Sequence, residues 1–302
     1  MIDPLKPFFD HRGVAVLDGG LATELERRGF ALDDPLWSAT ALIEAPALVA
    51  AVHRDYLEAG ADVITTATYQ ATLPGLAARG LSAREAEAVI LSGVTIARAE
   101  RDAHRPHALV AASLGSYGAF LADGSEYRGG YGLGVEALVN WHRARLRLLE
   151  SSGADLLAFE TIPSLPEVEA IAALLAEHDG PPAWISFQAR NAELLADGAP
   201  IEVAASIAER ASRVIAVGVN CVAPSLVMPL LARLATATSK HLAAYPNRGD
   251  VWDAASRSWI GGNAAIDFAA LAPAWRGAGA RLIGGCCRTT PDDIRAFAAS
   301  LS

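Results

Sequence analysis

The stretch Leu282-Ile283-Gly284-Gly285-Cys286-Cys287-Arg288-Thr289-Thr290-Pro291 joins a strand signal, two thiols and a helix signal. A short apolar run stops at two glycines, adjacent cysteines follow, and Thr290-Pro291-Asp292-Asp293 opens a helix with a capping residue ahead of a first-turn proline. The only other cysteine, Cys221, lies in Val217-Gly218-Val219-Asn220-Cys221-Val222-Ala223-Pro224, which has the same form. Two distant parts of the chain thus deliver all of its thiols to the C-terminal ends of strands.

The same rhythm of apolar run, polar junction and Ala/Leu/Glu-rich helix recurs along the whole chain. Strands are expected at 14–17, 62–66, 108–113, 155–160, 183–188, 214–220, 240–245 and 281–284. The clearest helix start between them is Ser82, with Glu85 at capping-box spacing. Near-continuous apolar strands alternating with helices call for a parallel sheet covered on its outer face. A count of eight predicts a single (β/α)8 TIM barrel over residues 1–302. The rival open doubly wound sheet, in its nucleotide-binding form, lacks a G-x-G-x-x-G after the first strand.

A barrel keeps its chemistry at the C-terminal strand ends. Those ends read Asp18, Thr66, Ser113, Glu160, Gln188, Cys221, Asn247 and Cys286-Cys287. Polar residues are ordinary in loops, but thiols are not, so the cysteines carry most of the inference. Strand ends six and eight are separated by one neighbour at a barrel rim, which lets their sulfurs converge. Zinc bound tetrahedrally by three thiolates keeps a fourth position for chemistry. Adjacent cysteines depart from the two-to-four-residue spacing of structural fingers. The plain alternatives are small buried hydrophobes or a vicinal disulfide.

Composition narrows the field. Hydrophobic residues make up 52% and charged residues 20% of the 302, which describes a globular chain. A net charge of -9 and a pI near 5.3 argue against a nucleic-acid partner. No apolar run approaches the ~20 residues of a membrane span. Met1-Ile2-Asp3-Pro4 lacks a signal-peptide pattern, so a cytoplasmic location is expected. Three cysteines, two of them adjacent, make a poor disulfide framework and suit a metal or catalytic site in a reducing compartment.

Taken together, Gly284-Gly285-Cys286-Cys287, Asn220-Cys221, Asp18-Gly19-Gly20-Leu21-Ala22-Thr23-Glu24-Leu25, Leu36-Trp37-Ser38-Ala39, Thr68-Tyr69-Gln70-Ala71-Thr72 and Phe159-Glu160-Thr161 resemble the homocysteine S-methyltransferase family through nearly the whole chain. Leu121-Ala122-Asp123-Gly124-Ser125-Glu126-Tyr127-Arg128-Gly129 is similar to the branch that uses S-methylmethionine or S-adenosylmethionine as donor. The resemblance implies a (β/α)8 barrel, zinc held by Cys221, Cys286 and Cys287, and methyl transfer from a sulfonium cation to the thiolate of L-homocysteine, giving methionine. It points first to Glu160 for the homocysteine ammonium, with Asp18 as the other acidic candidate, though an Asp before Gly19 also suits a turn. Thr66 and the backbone around Gly19 and Gly20 are candidates for the carboxylate. Asn247 is expected, by resemblance, at the open metal position when substrate is absent; a plain turn Asn fits as well.

On the donor side, Trp37, Tyr117, Glu126, Tyr127 and Tyr131 are candidates, since aromatic faces attract onium groups. His53, His142 and His178 fall in helical stretches and read as surface or internally satisfied residues. Three other readings are a betaine-type homocysteine methyltransferase, a selenohomocysteine or selenocysteine methyltransferase, and a zinc or thiol sensor without catalysis. The sensor leaves Glu160 and Asp18 without a task.

Overall fold

The computed structural model describes residues 3–249, 251–253, 258–260 and 266–302. Its strands are β1 Ala15–Val16, β2 Val63–Thr65, β3 Leu109–Gly115, β4 Leu156–Ile162, β5 Ala183–Phe187, β6 Val214–Asn220, β7 His241–Tyr245, β8 Val251–Asp253, β9 Ser258–Ile260 and β10 Ala280–Ile283. Eight of them pair in parallel in the order β1-β10-β7-β6-β5-β4-β3-β2. A parallel bridge between Leu17 and Val63 joins the two ends, with Asp18 N–H donating to the Val63 carbonyl at 3.0 Å and Asp62 N–H to that of Val16 at 2.7 Å. All eight expected strands are therefore present in a (β/α)8 barrel. The hairpin β8–β9 lies within the Trp- and Gly-rich loop after β7, of which residues 250, 254–257 and 261–265 lie outside the described residues.

Strand alternation divides the apolar residues between two cores. Inward positions Ala15, Leu17, Val63, Ala111, Leu156, Ala158, Trp184, Ala216, Ala243 and Leu282 fill the barrel. Outward positions such as Val16, Ile64, Val110, Leu157, Phe159, Ile185, Val217 and Ile283 pack under the helices, among them Pro46–Glu58, Ala83–His104 and Val135–Glu150. Burying each large aliphatic or aromatic side chain contributes about 1.5–3 kcal/mol. The same period of two carries polar residues upward into the mouth: Ser113 follows Ala111, Glu160 follows Ala158, Ser186 follows Trp184, and Tyr245 follows Ala243.

Two features close this scaffold. The short helix Lys6–Arg12, absent from the sequence-based expectation, seals the floor with Leu5 fully buried and Phe8 and Phe9 packed on the inner core. The expected capping box holds: Ser82 N–H donates to Glu85 Oε2 at 2.8 Å and Glu85 N–H returns to Ser82 Oγ at 3.4 Å.

Candidate metal centre and active site

The chain enters Cys221 from β6 and turns there with a φ of +51°, a left-handed conformation that costs energy for any side-chain-bearing residue. Cys286 and Cys287 follow β10 in a loop tied to its neighbours on both sides. Gly285 N–H donates to the Asp18 carbonyl at 3.0 Å, Cys286 N–H to that of Pro246 at 2.8 Å, and Arg248 N–H to that of Cys287 at 3.1 Å. The preceding glycines do not take left-handed angles; they serve close approach. A Cβ on Gly284 would lie 2.7 Å from Leu17 Cβ, and one on Gly285 would lie 2.3 Å from Thr289 Oγ1.

The three sulfurs lie within 4.8 Å of one another, with Cys221 Sγ and Cys287 Sγ 3.6 Å apart. Tetrahedral ligation at about 2.3 Å per bond spaces sulfurs about 3.8 Å apart, so the cluster is sized for one zinc-like ion. Hydrogen bonds from Cys286 and Cys287 pull the Cys221 thiol well below the ordinary range, while those same contacts push the other two up. A shared proton set of this kind is displaced by a cation. Asn220 Nδ2 reaches Cys286 Sγ at 3.7 Å from behind.

The pocket that opens over the thiols is lined by Asp18, Asp34, Glu126 and Glu160, and among the described residues by no Lys, Arg or His. Glu160 takes a hydrogen bond from Ser113 Oγ at 2.6 Å, and burial pushes its carboxyl up to about 7 against that bond. Asp18 accepts from Thr65 N–H at 2.8 Å and Thr65 Oγ1 at 3.1 Å; burial holds it well above the usual carboxylate range. Its bonds reach across to β2 rather than back into its own turn. Gly19, Gly20, Thr65 and Thr66 complete this wall. The Thr66 hydroxyl is already engaged, 2.6 Å from Thr68 Oγ1 and accepting from Ser113 N–H at 3.1 Å.

Trp37, Glu126 and Tyr127 line the same pocket. Trp37 is itself left-handed at φ +48°. Glu126, pushed up to about 7 by burial, keeps a buried Oε2 without a partner among the described residues. Three residues expected near the reacting groups stand elsewhere. Tyr117 and Tyr131 are outside the lining; Tyr117 packs in a ring cluster with Phe120, Tyr131 and Trp141 at centroid separations of 5.3 to 5.8 Å. Asn247 is buried beside the metal loop but outside the lining; its Nδ2 donates to the Cys221 carbonyl at 3.4 Å and its Oδ1 accepts from Gly249 N–H at 2.9 Å. The histidines also divide. His178 lies 2.7 Å from Glu150, and buried His142 lies 2.8 Å from Glu167. His53 is neither exposed nor satisfied: it is fully buried and both ring nitrogens lack partners among the described residues.

Asn220, Thr161 and Tyr69, which the sequence motifs contain without a role, and Tyr245, which no motif contains, all line the pocket. The signal for Tyr245 was available, since it is the next inward position after Ala243 on β7. Thr161 was hidden, because a β-branched residue at φ +58° inside a strand contradicts local propensity.

A closed parallel barrel carrying three converging thiols at its C-terminal rim, under an acidic pocket, is the frame of a metal-assisted barrel enzyme. The homocysteine S-methyltransferase family profile matches residues 15–301, and the chain belongs to that family. It is 46% identical to homocysteine S-methyltransferase of Escherichia coli K12, covering 98% of each chain. It is 45% identical to homocysteine S-methyltransferase YbgG of Bacillus subtilis 168, covering 99% of this chain and 98% of the relative. A selenocysteine Se-methyltransferase of Brassica oleracea var. italica is 45% identical over 94% of this chain and 88% of its own. Among solved structures, the metallated form of the homocysteine methyltransferase MmuM from Escherichia coli superposes with a TM-score of 0.89 at 44% identity, covering 98% of this chain and 99% of that one. Among the described residues no helix is long and apolar enough to cross a membrane.

Proposed function

We propose that this chain transfers a methyl group from a small sulfonium donor, S-methylmethionine or S-adenosylmethionine, to the thiolate of L-homocysteine, with zinc held by Cys221, Cys286 and Cys287. The observation that carries this reading is the pairing of a three-thiol cluster with a pocket whose described lining has four carboxylates and no basic side chain. Bound there, zinc would supply a position at which the acceptor thiol is held deprotonated near neutral pH. The chain's own residues do the rest. Glu160 and Asp18 take the acceptor ammonium, and the backbone around Gly19 faces its carboxylate, on the wall that Thr66, its hydroxyl committed to Thr68, also lines. Trp37, Tyr127 and Glu126 face the cationic donor, whose approach an acidic pocket favours.

The bookkeeping of the reaction closes without a further reactant. The acceptor sulfur forms a bond to the methyl carbon as the donor's S–CH3 bond breaks, and the donor leaves as a neutral thioether. No general base is called for, which agrees with a lining free of histidine among the described residues. Betaine, with no net charge, suits this acidic pocket less well than a sulfonium amino acid of net positive charge. The test is a donor panel with homocysteine and zinc-loaded protein, following methionine. Turnover with a sulfonium donor and none with betaine is expected; absence of product with both sulfonium donors contradicts the reading.

A further inference from the structure

Behind the donor side of the pocket, Glu167 is fully buried in the first turn of helix Leu165–Leu175. Three parts of the chain converge on its carboxylate: Tyr117 N–H donates at 2.7 Å, the Tyr131 hydroxyl at 2.5 Å, and His142 Nε2 lies at 2.8 Å. Tyr117 and Tyr131 flank the segment whose middle puts Ala122, Gly124, Glu126 and Tyr127 on the pocket surface. The short helix Tyr117–Leu121 packs tightly beneath that surface, since a Cβ on Gly118 would lie 2.5 Å from the Glu126 backbone nitrogen. A shift of Tyr117 is therefore passed to Glu126.

A second wall of the pocket is braced by the same block. Arg145, buried over the Trp141 ring at 5.0 Å, donates to the carbonyls of Gly115 at 2.5 Å and Tyr69 at 3.2 Å, and Tyr69 lines the pocket. The bonds of Glu167 itself end on Tyr117, Tyr131 and His142 and on none of Asp18, Thr65, Ser113 and Glu160, while Arg145 reaches Gly115, the strand partner of Glu160. We infer that Glu167 is a positioning residue for the methyl donor: by clamping both ends of the 117–131 segment it sets Glu126 and Tyr127, and it leaves acceptor recognition alone. This rests on the proposal that Glu126 and Tyr127 face the donor. A carboxylate serving only barrel stability would affect donor and acceptor alike, or neither.

The test uses the full chain with S-methylmethionine as probe donor and separate KM measurements for donor and homocysteine. Tyr131→Phe removes one of the three bonds from a half-exposed residue without burying a new charge, so it is expected to fold. Its donor KM should rise about 5-fold, the worth of one ordinary hydrogen bond, with the homocysteine KM within about 2-fold of the parent. Glu167→Gln should raise the donor KM further, about 10-fold or more, in the same one-sided manner. Unchanged donor KM in Tyr131→Phe, or equal rises for both substrates, overturns the inference. Glu126→Gln, which leaves the Glu167 bonds in place, separates the two layers. If its donor KM is unchanged, the donor-side reading fails and the inference with it. If its donor KM rises while that of Tyr131→Phe does not, only the role of Glu167 falls.

Discussion

Asn220 holds Thr161 from both sides: its Oδ1 accepts the Thr161 N–H at 2.8 Å, and its Nδ2 donates to Thr161 Oγ1 at 2.8 Å. Thr161 stands at φ +58°, a conformation that costs about 1–3 kcal/mol and persists only where surroundings impose it. It directly follows Glu160, and the same amide reaches Cys286 Sγ at 3.7 Å. One side chain thus links a thiol of the three-cysteine cluster to the strand end that carries Glu160. Outer partners of this kind are typically worth 10–100-fold in metal affinity. Asn220→Ala is expected to weaken zinc binding by about that factor in competition with a chromophoric chelator; parent-like affinity would remove Asn220 from the metal's surroundings.

Glu160→Gln keeps the size of the side chain and its place beside Ser113 Oγ but removes the charge. A charge-assisted hydrogen bond to the homocysteine ammonium is worth about 2 kcal/mol, which corresponds to roughly a 30-fold rise in homocysteine KM. Zinc content should stay at the parent level. A homocysteine KM within 2-fold of the parent, on the order of 0.4 kcal/mol, would reassign the acceptor site.

His53 gives a pH dependence of stability independent of the active site. Burial lowers its pKa from 6.5 to about 4, so the folded chain excludes a proton that the unfolded chain binds. The stabilisation from keeping this ring neutral is full above about pH 6.5 and fades as pH falls toward 4, a loss of about 3 kcal/mol. Chemical denaturation across that range should show the loss, and His53→Leu, which also removes two partnerless buried nitrogens, should flatten it. Equal slopes in parent and variant would show that His53 does not titrate on unfolding.

The barrel was readable because its signals are local and repeated: each strand is a short apolar run, and the helix start at Ser82 rests on residues three apart. The thiol cluster was readable because cysteine is rare in this chain and falls twice at a strand end. Geometry that depends on distant packing was not. Tyr117 and Glu126 look alike as loop residues, yet one packs behind the wall and the other faces the pocket, a choice made by Glu167 and Trp141 on later helices. The helix Lys6–Arg12 escaped notice because its 7 residues are too few for a periodic pattern, and the barrel floor stabilises it.

The central claim is that Cys221, from one strand, and Cys286-Cys287, from another two places along the rim, grip a single ion. Its most direct test is the zinc stoichiometry and affinity of the intact chain beside Cys221→Ser. One zinc per chain in the parent, with affinity falling at least about 10-fold in Cys221→Ser, is the predicted result. A parent that binds no zinc, or a Cys221→Ser chain that binds it as tightly as the parent, would contradict it.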